Sequence, residues 1–166
     1  MVYTTDMRTI DDKPFAVLRI IFGLVWAVDA YFKWQPAFLD NFTSYLATGA
    51  QGQPALVQAW INLWVHGVSV DPHLFGIVVA IAETAIAIGL LFGFSTRIAL
   101  AGGIAMTLVI WSTAEGFGGP YVAGSTDVGA AIIYVIVFLA LWFGKCWRHY
   151  SIDARFKNAV PWLFGN

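Results

Sequence analysis

One carboxylate, Glu83, stands near the middle of Leu74 to Phe94, a 21-residue stretch otherwise free of charge. An ionised group in so apolar a run is costly unless it faces a protein interior or a wet cavity, often beside a basic partner. Arg19, inside the apolar run that starts at Phe15, is the first candidate partner and Arg97 the second. These three are the candidates for chemistry at depth. A buried ion pair that only fixes helix register is the reading given the greater weight, and substrate or proton handling is the competing one.

A second cluster gathers at the ends of the apolar runs: Asp29, Lys33, Trp111, Glu115 and Asp127, with Tyr121 and Trp34 close in sequence depth. These residues are the expected lining of a substrate or quinone site. Aromatic residues with a few polar groups suit a quinone, and Trp26, Trp111 and Tyr134 with Glu83 or Arg19 are the natural set, although aromatics in spans more often pack or anchor. Asp127 has a plainer role as N-cap of the last long helix, and Lys33 lies at the i, i+4 spacing of a surface pair with Asp29. His66 and His73 are seven residues apart, without the spacing or Cys support of a helix-borne metal site. With His149 in a basic tail, no metal site and no cofactor held within the chain are expected. The glycine-rich Gly118-Gly119-Pro120 run reads as a tight turn, not as a phosphate cradle, which would join a strand to a helix.

Composition decides what must position these groups. Of 166 residues, 59% are hydrophobic and 11% charged, against roughly 25% charged in a soluble domain. Nine basic residues against ten acidic ones argue against a nucleic-acid partner, and a single Cys, Cys146, excludes an internal disulfide or a CxxC pair. Four runs are long and apolar enough to cross a bilayer: Phe15 to Phe32, Leu74 to Phe94, Ile98 to Ala114 and Val128 to Gly144. The first follows a polar stretch and holds Arg19, so it is not read as a cleaved signal.

Both termini then fall on one side, with Arg8, Lys13, Arg97, Lys145, Arg148, Arg155 and Lys157, whereas Lys33 alone is opposite. Basic residues collect on the cytoplasmic side, so the expectation is a multi-pass cell-membrane protein with cytoplasmic termini. Within the outer segment 34–73, Leu39, Phe42, Tyr45 and Leu46, and then Leu56, Trp60 and Trp64, recur at helical spacing. Two short interfacial helices over the bundle mouth are expected. Asn41-Phe42-Thr43 is a formal glycosylation acceptor. Ala85, Gly89 and Gly93, and Ala99 with Gly103, lie four apart and allow close helix approach. The fold class is therefore an all-α, single-domain, polytopic four-helix bundle. In the tail, Ser151 is placed to cap a final turn, and Pro161-Trp162-Leu163-Phe164 suits the headgroup layer; anchoring to membrane lipid is the role assigned there.

The residues also resemble a family. Leu18-Arg19-Ile20-Ile21-Phe22-Gly23, Lys33, Glu83 with Gly89-Leu90-Leu91-Phe92-Gly93, and Thr96-Arg97-Ile98-Ala99 are together similar to the DoxX/DoxD family of small four-span membrane proteins. That resemblance implies the membrane subunit of an oxidoreductase, in DoxD-type proteins one passing electrons from thiosulfate to quinone. The segment from Ala114 to Tyr121 leans to the DoxD side, whereas Asp29-Ala30-Tyr31 departs from a Gly-rich stretch common before the Lys. Two functions follow: an oxidoreductase subunit that works with partner subunits and with quinone as a candidate ligand, or a non-catalytic subunit that assembles or stabilises a larger membrane complex.

Overall fold

In the computed structural model, residues 12–125 and 127–156 are described, and all their regular structure is helical. Arg8, Lys157 and the Pro161 to Phe164 segment lie outside the described residues. Four long helices form the bundle: α1 (Lys13–Lys33), α5 (Pro72–Phe92), α6 (Thr96–Ser112) and α7 (Ala130–Phe143). Between the first two come α2 (Pro36–Leu39), α3 (Phe42–Thr48) and α4 (Ala55–Val68), and the tail ends in α8 (Ile152–Phe156). The helix ends fall within two residues of the expected spans. The first expected outer helix is divided at Asp40-Asn41 into a single turn and α3, and α4 is the second.

Local signals account for the boundaries. α5 begins at Asp71, whose side chain accepts the Leu74 N–H at 3.0 Å, followed by Pro72 in the first turn. It stops at Gly93, which takes φ 62° and ψ 44°, a left-handed conformation that glycine adopts without strain. α1 and α5 have 21 residues each, roughly 30 Å at about 1.5 Å per residue, the thickness of bilayer hydrocarbon. These two are long and apolar enough to cross a membrane, whereas α6 and α7 are shorter apolar helices of 17 and 14 residues.

The burial pattern is inverted relative to a soluble protein. Ile21, Leu24 and Val28 on α1, Val78 and Ile81 on α5, and Ile133 and Ile136 on α7 are all more than half exposed, while Arg19 and Thr107 are fully buried. Apolar outside and charge inside is what a hydrocarbon solvent selects. Arg19, Phe22, Trp26, Asp29 and Lys33 follow a 3, 4, 3, 4 spacing in the sequence, which predicts one shared inward face of α1, and that face is the inner one: Arg19, Phe22 and Trp26 are buried, with Asp29 and Lys33 half-buried along the same stripe.

α1 packs chiefly on α5, α5 on α6, and α6 on α7. Gly89 meets Ala99 across the α5–α6 seam, and Gly103 lets α6 approach Phe138 of α7. Ala85 is exposed and takes no part in that seam. Between α1 and α7 the core is aromatic: Phe22 meets Phe138 edge-on with centroids 4.9 Å apart and Tyr134 at 5.3 Å, and Trp26 meets Phe138 at 5.4 Å. A Cβ added to Gly103 would land on the Phe138 ring, which is fully buried and has no free space to retreat into. Gly103→Ala is expected to destabilise the bundle by about 1–3 kcal/mol, measured as an earlier thermal unfolding midpoint in detergent.

Candidate functional site

Arg19 and Glu83 do not pair. Arg19 points to the end of the bundle where the tail folds, here the tail end, and donates to four backbone carbonyls. Nε reaches Leu90 O at 2.9 Å, Nη1 reaches Cys146 O at 2.9 Å and His149 O at 3.4 Å, and Nη2 reaches Tyr150 O at 2.6 Å. The last carbonyls of a helix have no partner within it and carry the negative end of its dipole. The guanidinium satisfies such a group at the end of α5 and stitches it to the tail. Leu90 lies seven residues beyond Glu83 on α5, two helical turns or about 10 Å; with four of its five N–H donors engaged there, Arg19 is turned away from Glu83.

Arg97 is also directed elsewhere, its guanidinium lying 4.6 Å from the centroid of the Trp147 ring. The tail does more than anchor. Asp153 accepts the N–H groups of Ser95 and Thr96 at 2.8 and 2.7 Å and donates its own N–H to Gly93 O at 2.9 Å, so a tail carboxylate caps α6 from outside. Ser151 fills its expected cap role, its hydroxyl accepting the Ala154 N–H at 3.0 Å. Cys146 is fully buried beside this latch, and burial pushes its thiol up to about 12, so it is a neutral packing group rather than a reactive thiolate.

Glu83 instead pairs with Lys33. Lys33 Nζ stands 3.3 Å from Glu83 Oε2, and the lysine's side chain is 16% exposed against 1% for the glutamate. The Lys33 ammonium approaches Oε2 as an ion-pair partner, and Oε1 has no hydrogen-bond donor among the described residues. Sequence reasoning placed Lys33 on the inner stripe of α1 but matched Glu83 to the arginines by depth. The lysine stem, long enough to run back along α1 from its end, is the signal that reading missed. Next to the pair, Trp34 Nε1 donates to Thr84 Oγ1 at 3.0 Å and ties the end of α1 to α5.

The pair opens on a cavity of about 140 Å³ at the opposite end, here the loop end. α1 supplies Trp26, Asp29 and Lys33, and α5 supplies Glu83. Thr107 and Ile110 come from α6, Glu115 from the loop after it, Tyr134 from α7, and Tyr45 from α3 at the mouth. Asp29, Lys33 and Glu115 are thus brought together as expected, with Glu83, Trp26 and Tyr134 joining them. Thr107 and Tyr45 were not anticipated. Thr107 is legible only as one polar residue on an apolar helix, and Tyr45 only after α3 is folded over the mouth.

Arg19, Arg97, Trp111 and Asp127 are not in the lining. Trp111 braces the loop, its Nε1 donating to Val128 O at 2.9 Å and its ring meeting Phe117 at 5.2 Å. Asp127 does not cap α7: it accepts the Gly129 N–H at 2.9 Å within its own turn, and Glu115 takes the cap by accepting the Ala131 N–H at 3.1 Å. Asp127 is two residues too early, because α7 starts at Ala130 rather than Val128. Tyr121 hydrogen-bonds Phe117 O at 2.6 Å in the exposed loop. His66 and His73 are exposed, and no group of three or more His, Cys, Asp or Glu residues able to hold a metal ion occurs among the described residues.

The DoxX family model matches residues 15–116, from the first turn of α1 past Glu115, and so takes in Arg19, Lys33, Glu83 and Arg97. The chain belongs to the DoxX family. No curated protein and no solved structure matches it significantly. Within this DoxX protein the two charged centres answer to different tests. Arg19→Met strips a donor from each of four carbonyls, of which the pair at Leu90 and Cys146 is buried. It is expected to cost about 3 kcal/mol or more, seen as loss of the monodisperse folded species in detergent, with Arg19→Lys recovering only part. Lys33→Met leaves Glu83 charged and alone and is expected to cost about 3 kcal/mol. The double variant Lys33→Met/Glu83→Gln regains most of that loss, measured as the coupling energy of a double-mutant cycle in thermal unfolding.

Proposed function

We propose that this protein is the integral membrane subunit of a DoxX-like oxidoreductase complex, crossing the bilayer four times with both termini cytoplasmic. Its loop-end cavity takes up or releases the small polar species, protons included, that accompany electron transfer to quinone. The observation that carries this reading is Glu83, a carboxylate 1% exposed, whose Oε1 has no hydrogen-bond donor among the described residues and which lines a polar cavity together with its partner Lys33. A pair that served register alone would be sealed by packing; this one borders open space. The orientation is supported by Lys13, Arg97, Lys145, Arg148 and Arg155 at the tail end, against Lys33 at the loop end.

The electron-carrying group belongs in this reading to a partner subunit. Thiosulfate, the substrate the DoxD resemblance implies, is a dianion and wants several converging donors. The cavity would meet it with Asp29, Glu83 and Glu115 against Lys33 alone, so thiosulfate chemistry is assigned to the partner as well. The cavity's volume of about 140 Å³ is below the roughly 300–1,000 Å³ of sites for larger organic ligands, and quinone is assigned to the lipid-facing surface of the assembled complex.

A second reading, a non-catalytic assembly subunit, draws on Arg19, because the most deeply buried cation in the fold serves architecture. Purification in mild detergent separates the two. The oxidoreductase reading expects bound quinone and co-purifying subunits, and Glu83→Gln in the intact complex should lower quinone reduction about a hundredfold, the low end for a proton-transferring group. Full activity of that variant in an intact complex would establish the assembly role instead.

A further inference from the structure

The cavity's own chemistry specifies a ligand more narrowly than a proton site requires. Three carboxylates and one ammonium line it, an excess of two negative charges (three minus one). Glu83 is answered by Lys33 and Glu115 by the N-terminus of α7, but Asp29 makes neither a hydrogen bond nor an ion pair among the described residues. Trp26 is 2% exposed, and among the described residues its indole N–H has no acceptor and Glu83 Oε1 no donor. A buried donor and a buried acceptor left open on one cavity each cost about 1–3 kcal/mol until something fills them.

Three of the remaining lining residues are aromatic, Trp26, Tyr45 and Tyr134, beside Thr107 and small or aliphatic side chains. Ring faces attract cations, and anionic groups among aromatic walls are the usual environment of a bound ammonium group. A directly coordinated metal ion is a poor fit, because the acidic groups are not close enough to form a three-ligand set among the described residues. A molecular cation can span them. About 140 Å³ holds a solute of a few non-hydrogen atoms, and the Trp26 N–H calls for an oxygen on it.

We infer that this cavity binds a small ammonium ion bearing a hydroxyl or ether oxygen, its positive end toward Asp29 and Glu83 and its oxygen accepting from Trp26. Free amino alcohol and the ethanolamine headgroup of a phospholipid share this chemistry. The inference concerns the same cavity as the oxidoreductase reading but does not depend on electron transfer.

The test uses the full chain, labelled with 5-fluorotryptophan, in bilayer nanodiscs of phosphatidylglycerol. Of the eight tryptophan signals, that of Trp26 is assigned by its loss in Trp26→Phe, the others reporting that the fold is kept. Ethanolamine is expected to move the Trp26 resonance saturably, and Asp29→Asn, which removes a half-buried carboxylate without breaking any bond, to weaken that binding about tenfold, or 1.4 kcal/mol. Movement on replacing part of the phosphatidylglycerol with phosphatidylethanolamine, with no free amine added, identifies the headgroup as the source. The inference is overturned if neither form moves the resonance, if ethylene glycol moves it equally, or if Asp29→Asn binds ethanolamine as well as the parent does. Binding of ethanolamine by a protein that carries no quinone and no partner would leave this site standing while removing the redox reading.

Discussion

The Arg19 guanidinium organises the molecule. A cation buried in the first helix would be untenable in hydrocarbon unless its donors were met, and it meets them with carbonyls that otherwise have no helical partner: Leu90 at the end of α5, and Cys146, His149 and Tyr150 in the tail. One side chain thereby fastens α1, α5 and the chain after α7 at a single point. Asp153 completes the knot by capping α6 across 57 residues of sequence. All four long helices are therefore fixed at the tail end by groups contributed from elsewhere in the chain.

That closure determines what is left at the other end. With the arginine committed, Glu83 is paired among the described residues with Lys33, which reaches it from the last turn of α1. The pair, Asp29 and Glu115 leave a polar space between the helices instead of a packed core. The Phe22, Trp26, Tyr134 and Phe138 cluster separates this space from the tail latch. Charge is thus divided between two ends with different physics: at the tail end the Arg19 guanidinium and the Asp153 carboxylate are held by backbone groups, although Thr96 Oγ1 has no partner, while at the loop end Trp26 Nε1 and Glu83 Oε1 have none among the described residues. Rigid architecture belongs to the first, and the proposed ligand to the second.

The connections before α6 and α7 illustrate why helix starts are harder to read from sequence than helix bodies. The body of a helix is set by local apolar content, which Leu74 to Phe94 displays without ambiguity. Its first turn is satisfied by whichever acceptor reaches it, and for α6 and α7 that acceptor is remote or lies in the preceding loop: Asp153 for one, Glu115 for the other. Asp127 has a good cap residue type in nearly the right place, yet the carboxylate from the loop before it holds the Ala131 N–H.

The sequence by itself determined that this is an all-helical membrane protein of the DoxX family, where its long helices lie, which face of α1 turns inward, and that Asp29, Lys33 and Glu115 fall toward one end of the bundle, because hydropathy and helical period are local properties. Only the tertiary structure decided which cation answers which anion. Arg19 and Lys33 lie on the same stripe of α1, and the choice between them rests on the antiparallel register of α5 and on a tail that folds back to offer carbonyls. Neither leaves a trace in spacing along the chain. The cavity likewise has no linear signature, since its walls come from five separate stretches and its openness depends on side chains that do not quite meet.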